Sequence, residues 1–583
     1  MAAASDWNFT NTDHGLLVAF GEFLRQHGLL EQLMRVPIPQ KKVTHTPQAK
    51  LIEFLAGIFG GIEYLSDLND GSHPLAKDET VAQAWGVSRF AHYSGVSRTL
   101  DACDDETVIA IKRAIELFSQ PFIRTAVDDL WRAGKPIVYD LDLTGQAVSA
   151  TSTSTTYPDS AFGWMNNQIQ LGYQLARLCL TTVTGERIWL NGFHHPGDTV
   201  STSCLQELVR AAEAQTHVRP RRRTELVQQR ISATEKLMER PRRLLAQQQA
   251  KQTRLQQTEL RVRLQIAQAE QGQKSPVFTA QSARLRQRRP SWQARLLRVA
   301  KQLADCERAI THHQSYLNQL AATVTQLKDW LRQLEADNQT NPDPPVCEVR
   351  MDSGFSGGEG LTWLIELGYQ VNTKAPSDKT TTALRQTLSA DTLWTRVGAN
   401  AEMTSPRAYH LHDCPYPLQA ALERFQIGAV YHYATLLQFR DVGTPPPLAD
   451  WFQSYNGRQI IEAGNKELKS GVYHVQHLMT RARAGIQIQV LFAGLAANSV
   501  HWAMPWLRGC ARTSAPKLEQ TLQSPKHMVR VAANSSAFVQ QTDWGTAMQF
   551  APNSALPGVL LYLKGVPAFQ LPLGCQFAVQ NQN

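Results

Sequence analysis

Four residues capable of chemistry stand at fixed spacing in YNGRQIIEAGNKELK, residues 455 to 469: Tyr455, Arg458, Glu462 and Lys469, at offsets of 0, 3, 7 and 14. On an α-helix of 3.6 residues per turn these offsets share one stripe, so the four side chains are expected to point the same way. One acid flanked by two cations and a phenol makes a poor hydrophobic core, but a good surface for holding an anion beside a metal. Alone, an i, i+4 pair of Arg458 with Glu462 on a solvated helix would explain the pattern better. Two further acids change that balance. Asp142 lies in the alternating strand KPIVYDLDLTG, and Asp352 follows the short apolar stretch VCEVR. Phosphodiester chemistry with two divalent cations needs such a carboxylate set, because hard oxygen ligands suit Mg2+ or Mn2+. One ion activates the attacking water or 3′-OH and the other stabilises the leaving oxygen, about 3.5–4 Å away.

Acids so far apart in sequence meet only if their strands are neighbours in a sheet and the helix packs across it. In KPIVYDLDLTG, Ile137, Tyr139, Leu141 and Leu143 face one side, while Val138, Asp140, Asp142 and Thr144 face the other. Periodicity therefore does not separate Asp140 from Asp142 as the first acid. NQIQLGYQLARLCLTTVTGERIWLNGF reads as a hairpin turning at Thr184–Gly185, and STSCLQELVRAAEAQ as the helix after it. Strand, hairpin and helix in that order are how an RNase H-like sheet begins. Residues 372–450 mix short strands and turns. The apolar IQIQVLFAGLAANSVHWAM is interrupted by Asn498, Ser499 and His501 and reads as a buried helix, not a membrane span. Residues 15 to 120 read as mostly helical, with Thr46 capping a helix that has Pro47 at its first position. Within them, DETVAQAWGVSRFAHYSGVSRTLDAC resembles a helix-turn-helix whose second helix is SGVSRTL; a plain helical bundle is the alternative.

Between the helix after the hairpin and the strand before Asp352 the sequence changes character. Leu296, Leu303, Ile310, Leu317, Val324 and Leu331 recur every seven residues, with Val299, Cys306, His313, Leu320, Leu327 and Leu334 three residues on. That heptad predicts a coiled coil. An earlier arm, roughly 222 to 270, is helical but less regular, and Pro241 is expected to spoil a turn. GQKSPVFTAQ reads as the tip of an antiparallel hairpin, with a possible break at Pro290.

The 583-residue chain carries a net charge of +9, yet residues 219–308 alone hold 22 Lys and Arg against 7 Asp and Glu. The protein is basic because of this insert, and so few acids argue for phosphate backbone as its partner rather than balanced helix pairing. Eight cysteines without a CxxC support neither a zinc knuckle nor a disulfide framework, and fit a reducing cytoplasm. The histidines at 194–195, 312–313, 410 and 412 lack ligands at zinc-site spacing. MAAASDWNF lacks the plan of a signal peptide.

Together these motifs resemble the DDE transposases of bacterial insertion sequences, in the group whose last acid lies in a Tyr-Arg-Glu-Lys (YREK) signature. Tyr455, Arg458, Glu462 and Lys469 match its spacing, DLDLT resembles its first acid box, RMDSGF its second, and HHPGDT loosely echoes a turn near the third strand. The resemblance implies Asp142, Asp352 and Glu462 as catalytic metal ligands for two Mg2+ or Mn2+ ions. It favours Asp142 over Asp140 because Thr144 follows at the right interval, leaving Asp140 and Thr144 as supporting residues beside the metal site. Tyr455, Arg458 and Lys469 would grip DNA phosphates. The implied fold is α/β, with an RNase H-like catalytic domain in three parts (131–216, 346–371 and 451–505). Around it the sequence places a helical DNA-binding segment (1–130), a β-rich insertion (372–450), a C-terminal domain (506–583) suited to dimerisation, and the basic coiled-coil hairpin (217–345), an insert that departs from the compact members of the family. The implied activity is cleavage at transposon ends and 3′-OH strand transfer into target DNA by a homodimer in a prokaryotic cytoplasm, at the nucleoid. The alternatives are an RNase H-like nuclease without strand transfer and an inactive DNA-binding coiled-coil protein.

Overall fold

A computed structural model describes residues 9–41, 44–274, 280–441, 446–511, 516–542 and 545–563. The chain is mixed α/β with a sheet of parallel and antiparallel strands, and by its contacts it divides into two units. The larger comprises residues 1–220, 344–365 and 369–583; the smaller comprises 221–343 and 366–368.

The larger unit is organised by strand β1 (Ile137–Ala147). After it come β2 (Ala161–Met165), β3 (Gln168–Thr181), β4 (Arg187–Pro196) and helix α1 (Ser201–Thr216). Beyond the smaller unit the chain returns as β5 (Cys347–Arg350), helix α2 (Gly358–Glu366) and β6 (Gln370–Lys374). β1 pairs antiparallel with β3 on one side and parallel with β5 on the other; β6 is parallel to β5, and β4 antiparallel to β3. The turn between β3 and β4 contains Gly185 at φ +83, a conformation glycine adopts without steric cost. Ile137, Tyr139 and Leu141 are buried on one face of β1 and Asp140 on the other, as expected for a central strand covered on both sides.

The segment read as a separate β-rich insertion continues this same sheet. β7 (Leu418–Ile427) and β8 (Val430–Phe439) form a hairpin, and β8 pairs antiparallel with the free edge of β6. Three short strands extend the sheet beyond β7, and a helix at Asp378–Gln386 precedes them in sequence. The chain then forms α3 (Leu448–Asn456), α4 (Gln459–Lys466) and the long α5 (Arg483–Cys510). α4 packs on β1 and β4, and α5 on β4. No helix among the described residues is long and apolar enough to cross a membrane.

The first and last described segments are not packed apart. Strand Phe9–Thr12 pairs antiparallel with Ala537–Thr542, and one apolar core runs from Leu16 through Phe54 and α5 to Met548. Thr46 caps the helix Pro47–Phe59 as the sequence suggests, its hydroxyl accepting from the Ala49 amide at 3.1 Å. The helices expected to form a helix-turn-helix are Glu79–Ala84 and Tyr93–Ala102. Residues 85–92 separate them, a longer connection than the tight turn of that motif. The last twenty residues of the expected C-terminal domain, 564–583, lie outside the described residues.

The smaller unit is a hairpin of two long helices, Thr224–Lys274 and Ala280–Gln339. Glu235 meets Lys328 at 2.9 Å, Cys306 donates to the Gln248 carbonyl at 3.1 Å, and Glu270 meets Arg289 at 2.9 Å, so the arms run antiparallel. All twelve predicted heptad positions of the second arm are buried or half-buried. The first arm is just as regular: Val227, Ile231, Thr234, Met238, Pro241, Leu245, Gln248, Gln252, Leu255, Glu259, Val262, Ile266 and Ala269 alternate spacings of three and four, and none is exposed. Thr234, Gln248, Gln252 and Glu259 occupy seam positions, which hides the repeat from a hydrophobicity pattern. Both helices run through their prolines, so the break expected at Pro290 is absent; Pro241 is buried in the seam. The centre of the expected tip, residues 275–279, lies outside the described residues. At the base, buried Arg222 donates to Asp337 and to the Leu367 carbonyl, both at 2.9 Å, and Trp330 donates to Glu366 at 2.8 Å.

Candidate functional site

Asp140 and Asp142 point to the same face of β1 but meet different partners. Asp140 is fully buried and receives both arms of Arg350, Nε to Oδ1 and Nη2 to Oδ2, each at 2.7 Å, while Thr181 donates to Oδ2 at 2.9 Å. This forked pair neutralises the carboxylate. The same Arg350 donates through Nη1 to the Ser454 carbonyl at 2.7 Å, fastening α3 to the sheet. Gly457 follows α3 because a Cβ there would lie 2.2 Å from that Nη1. Asp140 is therefore an anchor that positions the signature segment: it is fully buried and three of its acceptor sites are held by Arg350 and Thr181, which disfavours it as the metal ligand. Thr144 makes no side-chain hydrogen bond among the described residues, so nothing ties it to the carboxylates.

The parallel register pairs Asp140 with Arg350 and Arg350 with Asn372. Two residues on, Asp142 in the middle of β1, Asp352 just past the end of β5 and Lys374 at the end of β6 follow in the same rows, and the Asp352 charge acts on Asp142. On the other side of β1, Asp142 pairs with Arg177 of β3. Asp352 caps the short turn Ser353–Phe355 by accepting from the Gly354 amide at 3.0 Å.

The signature residues do not lie on one regular helix. α3 ends at Asn456, Arg458 stands at the start of α4, and Glu467–Gly471 forms a π turn. They nevertheless converge. Arg458 Nη2 donates to Glu462 at 2.5 Å and its Nη1 lies 3.5 Å from Asp142. Burial opposes the Arg458 charge, but Tyr455, Asp142, Glu462 and Asp352 outweigh it and raise its pKa. Tyr455 is largely buried in a small cluster with Trp451, Met403 and Leu436, under the Lys374 ammonium 5.5 Å from its ring centroid. Burial pushes its phenol up to about 12. Lys469 is half-buried; burial and then Arg177 lower its pKa, against the pull of Asp142. Glu462 is the most exposed of the three acids and is turned toward Arg458.

Three residues of this site escaped sequence reading. Arg177 is buried at an irregularity in the β3–β4 pairing, between Ala176 and Leu178, with its Nε lacking a partner; burial lowers its pKa to about 10. A lone arginine inside the apolar QLARLCL was its signal. Lys374 ends β6 in the row of the two aspartates. Asn465, one helical turn beyond Glu462, donates to Asp142 Oδ2 at 2.5 Å.

Burial raises the Asp142 pKa to about 6; Arg458 and Asn465 oppose the rise, while Asp352 and Glu462 add to it. Between its ordinary 3.8 and about 6, the folded state holds this proton more tightly than the unfolded chain does. Stability therefore falls as pH rises through that window, and above it the ionised carboxylate costs on the order of 3 kcal/mol. Asp142→Asn is accordingly expected to stabilise the metal-free protein above pH 6 and to have little effect near pH 4. Urea unfolding across that range checks this; a pH-independent difference between variant and parent would contradict it.

Among the described residues no three His, Cys, Asp or Glu side chains stand close enough to hold a metal ion by themselves, Glu462 being drawn to Arg458. No protein-family model matches the chain, and no curated protein matches it. The site therefore rests on its own geometry. Its donors suit a hard divalent cation: they are all oxygens, two come from adjacent strands, and the buried Asn465 Oδ1 beside them has no partner.

Proposed function

We propose that this protein is a DDE-type DNA transposase of the YREK group, cutting at transposon ends and joining the freed 3′-OH to target DNA. The observation that carries the proposal is the convergence of Asp142 from the middle of β1, Asp352 from just past the adjacent β5, and Glu462 from the helix packed on β1, with Arg458 and Lys469 beside them. The order β4-β3-β1-β5-β6, with antiparallel pairs on one side of β1 and parallel pairs on the other, supports an RNase H-like reading of the catalytic core. Asp142, Asp352 and Glu462 would hold Mg2+ or Mn2+, which when bound supplies charge neutralisation at the attacked phosphate and activates the attacking oxygen. Arg458, Lys469, Arg177 and Lys374 surround the acids with positive charge suited to a phosphate. The heptad seams of the smaller unit support a coiled-coil reading, and its basic surface supports contact with duplex DNA or a role in a homodimer bridging two ends.

The test incubates the protein with duplex taken from the DNA that flanks its reading frame, where the reading expects inverted repeats, with Mg2+ or with chelator. Joined products that require Mg2+ are expected. Nicks without joining would indicate a nuclease, and DNA binding indifferent to Mg2+ without any cleavage an inactive binding protein. Arg458→Ala and Lys469→Ala are each expected to reduce the slope of log affinity against log salt by about one unit for every phosphate that the cation neutralises. Unchanged slopes in gel shifts would assign both cations to the fold.

A further inference from the structure

We propose that Asn465 supplies a protein oxygen ligand to the divalent cation at Asp142, an inference that rests on the metal-dependent reading above. A carboxylate accepts hydrogen bonds and does not donate them, so the 2.5 Å contact with Asp142 Oδ2 must be made by the Asn465 amide nitrogen. That fixes which way the amide is turned. Its oxygen then lies on the other side, in a residue only 6% exposed, and finds no hydrogen-bond donor. Buried amide oxygens are almost always paired, so one without a protein donor beside two carboxylates has lone pairs that can ligate a cation. The chain around it explains the position. Asn465 is three residues past Glu462, so both rise from the same face of α4, and α4 packs on β1 where Asp142 stands. Gly464, just before it, fits because a Cβ there would lie 2.4 Å from Arg187 and 2.6 Å from Trp189, so the helix approaches the sheet closely at this turn.

Counting carboxylates alone, the site is short of ligands. An amide oxygen adds a hard donor without a further negative charge, which matters where Asp142 and Asp352 already sit side by side. The same side chain would orient one oxygen of Asp142 through its N–H and contribute its own oxygen.

The experiment titrates the full-length, DNA-free protein with Mn2+ and follows free Mn2+ by electron paramagnetic resonance, with thermal melting to verify that each variant is folded. The parent protein should bind Mn2+, and Asp142→Asn should lose that binding. Asn465→Ala should bind Mn2+ about 10–100-fold more weakly. Asn465→Asp keeps an oxygen at the position while losing the N–H, and should recover most of the affinity. Parent binding no tighter than Asp142→Asn would sink the metal-dependent reading itself. Parent-like binding by Asn465→Ala would overturn only the role of Asn465. Equal loss in the Ala and Asp variants would also overturn it, making Asn465 a residue that merely orients Asp142. Should Asn465→Ala fail to fold, Asn465→Asp and Asn465→Leu give the same comparison.

Discussion

Asp142→Asn and Asp352→Asn will each reduce strand cleavage at a cognate end by about a thousandfold or more while leaving gel-shift affinity within a few-fold of the parent. Both substitutions keep side-chain volume and remove one charge from a row where β1 and β5 place the two acids together. Glu462→Gln belongs to the same set, because its carboxylate shares Arg458 with Asp142. The informative control is Asp140→Asn. Its carboxylate is consumed by Arg350 and Thr181, so the variant should fail through stability: removing one member of a buried pair costs roughly 3–5 kcal/mol. Unfolding in urea and cleavage by the surviving folded fraction separate the two effects. A stable but inactive Asp140→Asn beside an active Asp142→Asn would reverse the assignment of the first acid.

That assignment illustrates what the sequence can and cannot convey. Alternation along KPIVYDLDLTG puts both aspartates on one face, and no local pattern distinguishes them. What does is Arg350, more than two hundred residues away, which reaches Asp140 because β5 pairs parallel to β1 in that register. The types and spacing of Tyr455, Arg458, Glu462 and Lys469 were legible, yet the single helical stripe that led to them is not how they meet. An irregular turn at Gly457 and Arg458 and a π turn at Glu467–Gly471 interrupt the helix, and along this path Arg458, Glu462 and Lys469 come to Asp142. Arg177 and Lys374 were not legible, because each is one cation in a strand whose neighbours only the sheet reveals. The second arm of the hairpin showed its heptads in apolar residues. The first hid the same repeat behind Thr234, Gln248, Gln252 and Glu259, polar residues that take seam positions.

Shortening the hairpin should produce the other large effect. Its base is held by Arg222 with Asp337 and Leu367, and by Trp330 and Arg230 with Glu366, so a cut above these residues leaves the base intact. Joining residue 230 to residue 330 through a short Gly/Ser turn does this, and it removes 18 Lys and Arg against 7 Asp and Glu. Each arm buries its seam against the other, so deleting both together exposes no apolar face. If about five of the removed cations touch phosphate, the slope of log affinity against log salt should fall by about 4 to 5. Affinity at low salt should drop by about a hundredfold or more, and the difference should shrink as salt rises, because salt screens the attraction between exposed cations and phosphate. Gel shifts across a salt series measure both quantities. Light scattering on the same samples distinguishes the homodimer role: a shortened protein that keeps parent-like affinity and slope but becomes monomeric would assign the arms to pairing. One that binds normally and keeps its parent's mass would leave the basic surface without a partner and the hairpin as a spacer.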